Sequence, residues 1–116
     1  MKGLKTTDLQ VGTGTLAEHG MNAVVHYNLY LPQGEECASG VLCICVGGDR
    51  QTYPTVTEGI LGMRVGGKRE LKFGPQLAYY EHRQNPSIPK RAALRYEVVL
   101  ISLEPGFGRP TPCQAQ

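Results

Sequence analysis

Two stretches of this chain alternate apolar and polar side chains with a period of two, and they restrict the fold more than any other feature. In "NAVVHYNLYL" (Asn22 to Leu31), Val25, Tyr27, Leu29 and Leu31 fall on one face; Val24, His26, Asn28 and Tyr30 fall on the other. In "LRYEVVLISL", Leu94, Tyr96, Val98 and Leu100 share a face opposite Arg95, Glu97, Val99 and Ile101. Successive side chains of a strand point to opposite sides of a sheet, so each stretch is a strand with one face on a core. "VGGKRELKFG" turns through Gly66 and Gly67 and enters a third strand. There Arg69, Leu71 and Phe73 share a face, and Lys68, Glu70 and Lys72 take a face that must be wet. The apolar run "GVLCICVGGDR", bracketed by glycines, reads as a fourth strand.

One stretch only has helical spacing. In "PTVTEGILGM", Val56, Ile60 and Met63 recur at i, i+4 and i+7, Thr55 is positioned to cap, and Glu58 falls in the first turn. Gly59 and Gly62 keep this helix short. The 15 glycines and 8 prolines are spread along all 116 residues, as in a turn-rich fold rather than a linker. The expected architecture is therefore α+β, an antiparallel sheet wrapped around one short helix. Residues 1–104 form the expected domain. Residues 105–116 carry prolines but no periodicity and are expected to be a flexible C-terminal tail.

Composition excludes several classes of function. The net charge is +2 with 19% charged residues, which leaves no electrostatic case for binding nucleic acid or a membrane surface. No apolar run approaches the ~18 residues of a membrane-spanning helix. The opening segment "MKGLKTTDLQVGTGTL" lacks the apolar centre of a signal peptide, so a cytoplasmic location is expected. Of the four cysteines, Cys43 and Cys45 share a strand face, with Cys37 nearby. A thiolate metal site would need a fourth ligand, and no C-x-x-C pair is present. Buried thiols acting as small hydrophobes, with no metal and no cofactor, are the expectation.

The passage "GPQLAYYEHRQNPSIPKRAAL" raises a separate question, because Tyr79 and Tyr80 stand at the mouth of a charged, proline-rich loop without a strand pattern around them. Loop-borne aromatics have little structural reason to be there. His82, in the same loop, reads as solvated.

Taken in order, "VVHYNLYL", "VTEGILGMRVGGKRELKFGPQLAYY" and "IPKRAALRYEVVLISL" resemble the FKBP-type peptidyl-prolyl isomerases from about Leu9 to Leu103. The resemblance implies a half-wrapped antiparallel sheet with an aromatic pocket between helix and sheet that receives a peptidyl-proline ring. It assigns Tyr79 as the catalytic residue, whose hydroxyl hydrogen-bonds a substrate carbonyl. It assigns Tyr27, Cys37, Thr52, Tyr53, Val56, Ile88 and Tyr96 to substrate binding. The implied partners are proline-containing peptides or protein segments, and a monomer is expected.

The chain departs from the family pattern where the pocket is largest. Val56 stands where the family has a floor tryptophan, Cys37-Ala38 where it has a phenylalanine-aspartate pair, and Tyr80 where it has glycine. A buried aromatic covers about 150–250 Å², much more than a valine. The expectation is an isomerase with weakened activity and weak macrolide binding. The alternative is a non-catalytic module of the same fold that binds peptides or a partner as a chaperone does.

Overall fold

The period-two segments pair with one another as their apolar faces require. The computed structural model describes residues 3–47, 53–86, 88–89 and 91–104. Its strands are β1 (Leu4–Gln10), β2 (Asn22–Tyr30), β3 (Glu36–Cys45), β4 (Lys68–Phe73) and β5 (Leu94–Glu104). They form one sheet in the order β1-β4-β5-β2-β3, with every neighbouring pair antiparallel. In the central pairing, Tyr27 lies opposite Val98 and Leu29 opposite Tyr96. Val25, Leu71, Tyr96, Val98 and Leu100 show no exposure, so the inward faces read from the sequence are the core faces.

The outward face of β4 and β5 is a ladder of charge. Glu70 and Glu97 lie directly opposite each other, a repulsive pairing if left alone. Arg95 bridges both carboxylates, and the Lys68 ammonium lies 3.2 Å from Glu97. Burial alone would raise the Glu97 pKa, but hydrogen bonds from Arg95 and Lys68 outweigh it and hold the carboxyl below its ordinary value. The Arg95 guanidinium also lies 4.2 Å from the centre of the Tyr30 ring, a cation–π contact.

Helix α1 spans Pro54–Gly59 and lies on the inward face of the sheet. Val56 and Ile60 are fully buried and Met63 nearly so, but the helix is shorter than their spacing predicts: Ile60 is its C-cap and Met63 lies past the turn that follows. Gly59 permits the close approach: a Cβ there would lie 2.6 Å from Leu71 Cδ2. Two expectations for this helix are corrected. Its N-cap is Tyr53, not Thr55, and no side chain caps it. Thr55 is the second residue of the helix, buried, and its hydroxyl makes no hydrogen bond. Glu58 lies in the last turn, because the helix ends at Gly59.

Six residues cannot make a stable helix alone, since nucleation costs more than so few backbone bonds return. Arg69 supplies the missing tie. Reaching up from β4, its guanidinium donates at 2.8 Å to the carbonyls of both Gly59 and Leu61 and pairs with Asp8 at 2.7 Å. The Gly59 carbonyl is one that a helix C-terminus leaves without an internal partner, and Leu61 lies in the turn just beyond.

Two elements were not legible in the pattern. Strand β1 is exposed at all but its first residue, so it carries no alternation; its pairing with β4 holds it in the sheet. The stretch read as a loop contains a 3-10 turn (Pro75–Leu77) and a second helix, α2 (Tyr79–Gln84). The tail expected over 105–116 lies outside the described residues. Among the described residues, no helix is long and apolar enough to cross a membrane.

The Arg69 tie gives the first testable outcome. Arg69→Met keeps the apolar stem and loses the charged hydrogen bonds, so unfolding free energy should fall by about 1.5–3 kcal/mol in urea titration. Asp8→Asn, on a half-exposed partner, should cost no more than ~1 kcal/mol. Equal small losses in both variants would show that the carbonyls are served equally well by water.

Candidate functional site

Four tyrosines from four parts of the chain meet above the inward face of the sheet. Tyr27 comes from the middle of β2, Tyr53 from the N-cap of α1, Tyr80 from α2 and Tyr96 from β5. The Tyr27 ring centre lies 5.9 Å from that of Tyr53 and 5.8 Å from that of Tyr96, the latter pair meeting edge to face. Tyr53 and Tyr80 are closer, at 5.0 Å. Behind the cluster, Phe73 stacks on Tyr96 at 5.8 Å. Tyr27, Tyr53 and Tyr80 are half-buried, whereas Tyr96 is fully buried, so solvent reaches one side of this tyrosine box.

Local backbone chemistry explains how the rings are aimed. Gly40 lies opposite Tyr27 on β3, and the ring packs over it at a distance where a Cβ would make ordinary contact, 3.4 Å. Tyr53 adopts a left-handed backbone (φ 46, ψ 56), the single non-glycine residue with positive φ among those described. Pro54 disfavours the right-handed helical option for the residue before it. A left-handed non-glycine residue costs on the order of 1–3 kcal/mol and persists only where its surroundings hold it. The contacts with Tyr27 and Tyr80 do so here. Burial, followed by the influence of Tyr27 and a hydrogen bond with it, pushes the Tyr53 phenol well above its ordinary pKa.

The deepest polar contact joins Tyr96 to Glu81. The Tyr96 hydroxyl donates to Glu81 Oε2 at 2.7 Å, and Glu81 is only 3% exposed. Burial raises the Glu81 pKa above its ordinary value despite that hydrogen bond. Burial and then the nearby Glu81 push the Tyr96 phenol far upward as well. The other carboxyl oxygen of Glu81 is buried without a hydrogen-bond partner, as are Thr55 Oγ1 and His82 Nε2.

The residues singled out in the sequence divide by depth. Tyr27 and Tyr53 present surface in the box. Tyr96, Val56 and Ile88 belong to the core, with Val56 showing no exposure and Ile88 only 3%. Cys37 is the extra residue of a bulge in β3, between Glu36 opposite Tyr30 and Ala38 opposite Leu29; burial raises the pKa of its free thiol. Tyr79 is the first residue of α2. Thr52 lies outside the described residues. His82 is not the solvated loop residue expected, because α2 folds inward and brings its Nδ1 to 3.3 Å from the Ile88 carbonyl oxygen.

Cysteine chemistry is also corrected. Cys43 is disulfide-bonded rather than a buried thiol, a pairing that strand periodicity gives no means of reading. Cys113 lies outside the described residues. No group of three or more His, Cys, Asp or Glu side chains suited to a metal occurs among the described residues.

Sequence reasoning omitted Tyr80 and Glu81 from the site. One signal was available for the second: a tyrosine on an inward strand face needs a partner for its hydroxyl. A cavity of about 660 Å³ runs between Leu4, Leu31, Pro32, Phe73 and Leu94, and none of the box tyrosines lines it.

Comparison with known proteins places the chain. A family profile described as FKBP-type peptidyl-prolyl cis-trans isomerase matches residues 14–101. An FK506-binding protein of Neisseria meningitidis serogroup B is 33% identical over 114 residues, covering 89% of this chain and 98% of its own length. The 46 kDa FK506-binding nuclear protein of Spodoptera frugiperda is 33% identical over 106 residues; the match takes in 88% of this chain and only 26% of that longer protein. The N-terminal domain of FKBP42 from Arabidopsis thaliana has the same fold, with a TM-score of 0.75 over 90% of this chain and 88% of that one, at 18% identity. With a matching profile over most of its length, and a relative of its own size at one-third identity, the chain belongs to the FKBP-type peptidyl-prolyl cis-trans isomerase family.

Proposed function

We propose that this chain binds proline-containing peptide or protein segments at the tyrosine box and catalyses rotation about the X–Pro amide, with weakened activity. The convergence of Tyr27, Tyr53 and Tyr96 at 5.8–5.9 Å, beside the helix that Tyr79 opens, carries this reading. Family membership supports it.

The reaction needs no nucleophile, base or metal, because no bond breaks. Its barrier is near ~18–20 kcal/mol, set by the partial double bond of the planar amide. A twisted amide has lost that resonance and is less charge-separated than the planar form. Dry aromatic walls therefore favour it over the ground state, and catalysis follows from that difference. Phenol hydroxyls at the rim hold the flanking carbonyls, in the role that the resemblance gives Tyr79. Weakening follows from Val56 and Cys37-Ala38 standing where the family has larger or charged groups. The burial of Val56, Tyr96 and Ile88 favours the second reading, a peptide-binding module without turnover, because buried walls offer little surface to a proline ring.

Isomerisation of a proline peptide by the purified chain separates the two readings. Under the first, Tyr79→Phe lowers kcat/KM by the worth of one hydrogen bond, about 0.5–1.5 kcal/mol, and leaves the melting temperature unchanged. Peptide binding without any turnover would select the second reading.

Stability tests the floor. Because Val56 is fully packed, Val56→Trp should overfill the core and cost about 1–3 kcal/mol in urea titration. A variant as stable as the parent would show that a floor-sized space already exists beneath Tyr53. Macrolide affinity of the unmodified chain should be weak; tight binding would show that the tyrosines already replace the missing floor.

A further inference from the structure

Helix α2 is six residues long, has no side-chain cap and opens with the tyrosine assigned to substrate. So short a helix takes its position from tertiary contacts rather than from propensity. Two contacts are described at the box. One is the Tyr80 ring against Tyr53; the other is the Glu81 carboxyl against the Tyr96 hydroxyl. The second is the more directional, and it joins α2 to the central strand of the sheet. Glu81 is buried to 3% with one oxygen bonded and the other without a partner. A surface carboxylate would not be held there without a reason, since an isolated buried charge is costly.

We propose that Glu81 is a positioning residue for the pocket: its carboxyl, bonded to Tyr96, fixes the placement of α2 and so the start of that helix at Tyr79. This rests on the peptide-binding reading above for its functional consequence, though not for the tie itself. The groups facing Glu81 are Tyr96 from β5, Tyr53 from the N-cap of α1 and His82 on α2 itself. Burial favours the neutral carboxyl, which carries no charge into the box and still accepts from Tyr96. Burial raises its pKa in the fold, so the stability of the buried neutral carboxyl is fully present below the unfolded carboxyl pKa of about 4.3 and is lost as pH rises through the folded value; the Tyr96 hydrogen bond favours the ionised form and offsets only part of that loss.

Amide exchange across α2, referenced to β5, tests this on the full chain between about pH 5 and about pH 8, with proline-peptide turnover measured in parallel. Glu81→Ala and Tyr96→Phe should speed exchange in α2 roughly three- to tenfold and leave β5 protected. Glu81→Gln, which mimics the neutral carboxyl, should restore slow exchange and remove the loosening of α2 that the parent shows relative to it as pH rises. Turnover should fall and recover in the same order. Unchanged α2 exchange in Glu81→Ala and Tyr96→Phe overturns the proposal, as does a Glu81→Gln chain with the parent's pH trend. Exchange that behaves as expected in a chain without turnover supports the tie and removes the isomerase reading instead.

Discussion

The buried tyrosine on the central strand is the point at which the sheet, the box and α2 meet. Tyr96 stacks on Phe73 of β4, meets Tyr27 of β2 edge to face and donates its hydroxyl to Glu81 of α2. Each aromatic pair adds about 0.5–1.5 kcal/mol beyond the area it buries. The hydroxyl adds something that a phenylalanine cannot, a directional hold on a helix too short to hold itself. Removing it takes away the one side-chain hydrogen bond to a buried carboxyl, a loss on the order of 1–3 kcal/mol. The same side chain thus packs the core and fixes the element that closes one side of the box.

A comparable division of labour appears at α1. Val56 and the C-cap residue Ile60 are buried, but the helix is fixed at its end by Arg69, reaching across from β4. Long-range polar ties of this kind hold both short helices. They give the site its shape, because Tyr53 precedes one helix and Tyr79 opens the other.

How much was legible in the sequence follows from which forces leave a periodic trace. Core faces at Val25, Leu29, Tyr96 and Val98 are written as alternation, and the structure buries them. Strand β1 left no trace, because an edge strand exposed on both faces has no alternation to show. The helical state of Tyr79–Gln84 was illegible for a different reason: its stability comes from Tyr96 and Tyr53, which are remote in sequence. Motif order pointed to Tyr27 and Tyr53, and the structure brings their rings together. The left-handed backbone of Tyr53 was not legible, since a bulky non-glycine side chain disfavours that conformation and only the surrounding contacts hold it. Glu81 was hidden by its setting among charged residues, which usually mark a solvated segment.

The central claim is that peptidyl-proline is received at the tyrosine box. Chemical-shift mapping by NMR during titration with a proline-containing peptide tests it most directly. The largest shifts should fall on Tyr27, Tyr53, Tyr80 and their neighbours, with cis and trans peptide signals in exchange. Shifts confined to the cavity between Leu4, Leu31, Pro32 and Leu94, with the tyrosines unmoved, would contradict it.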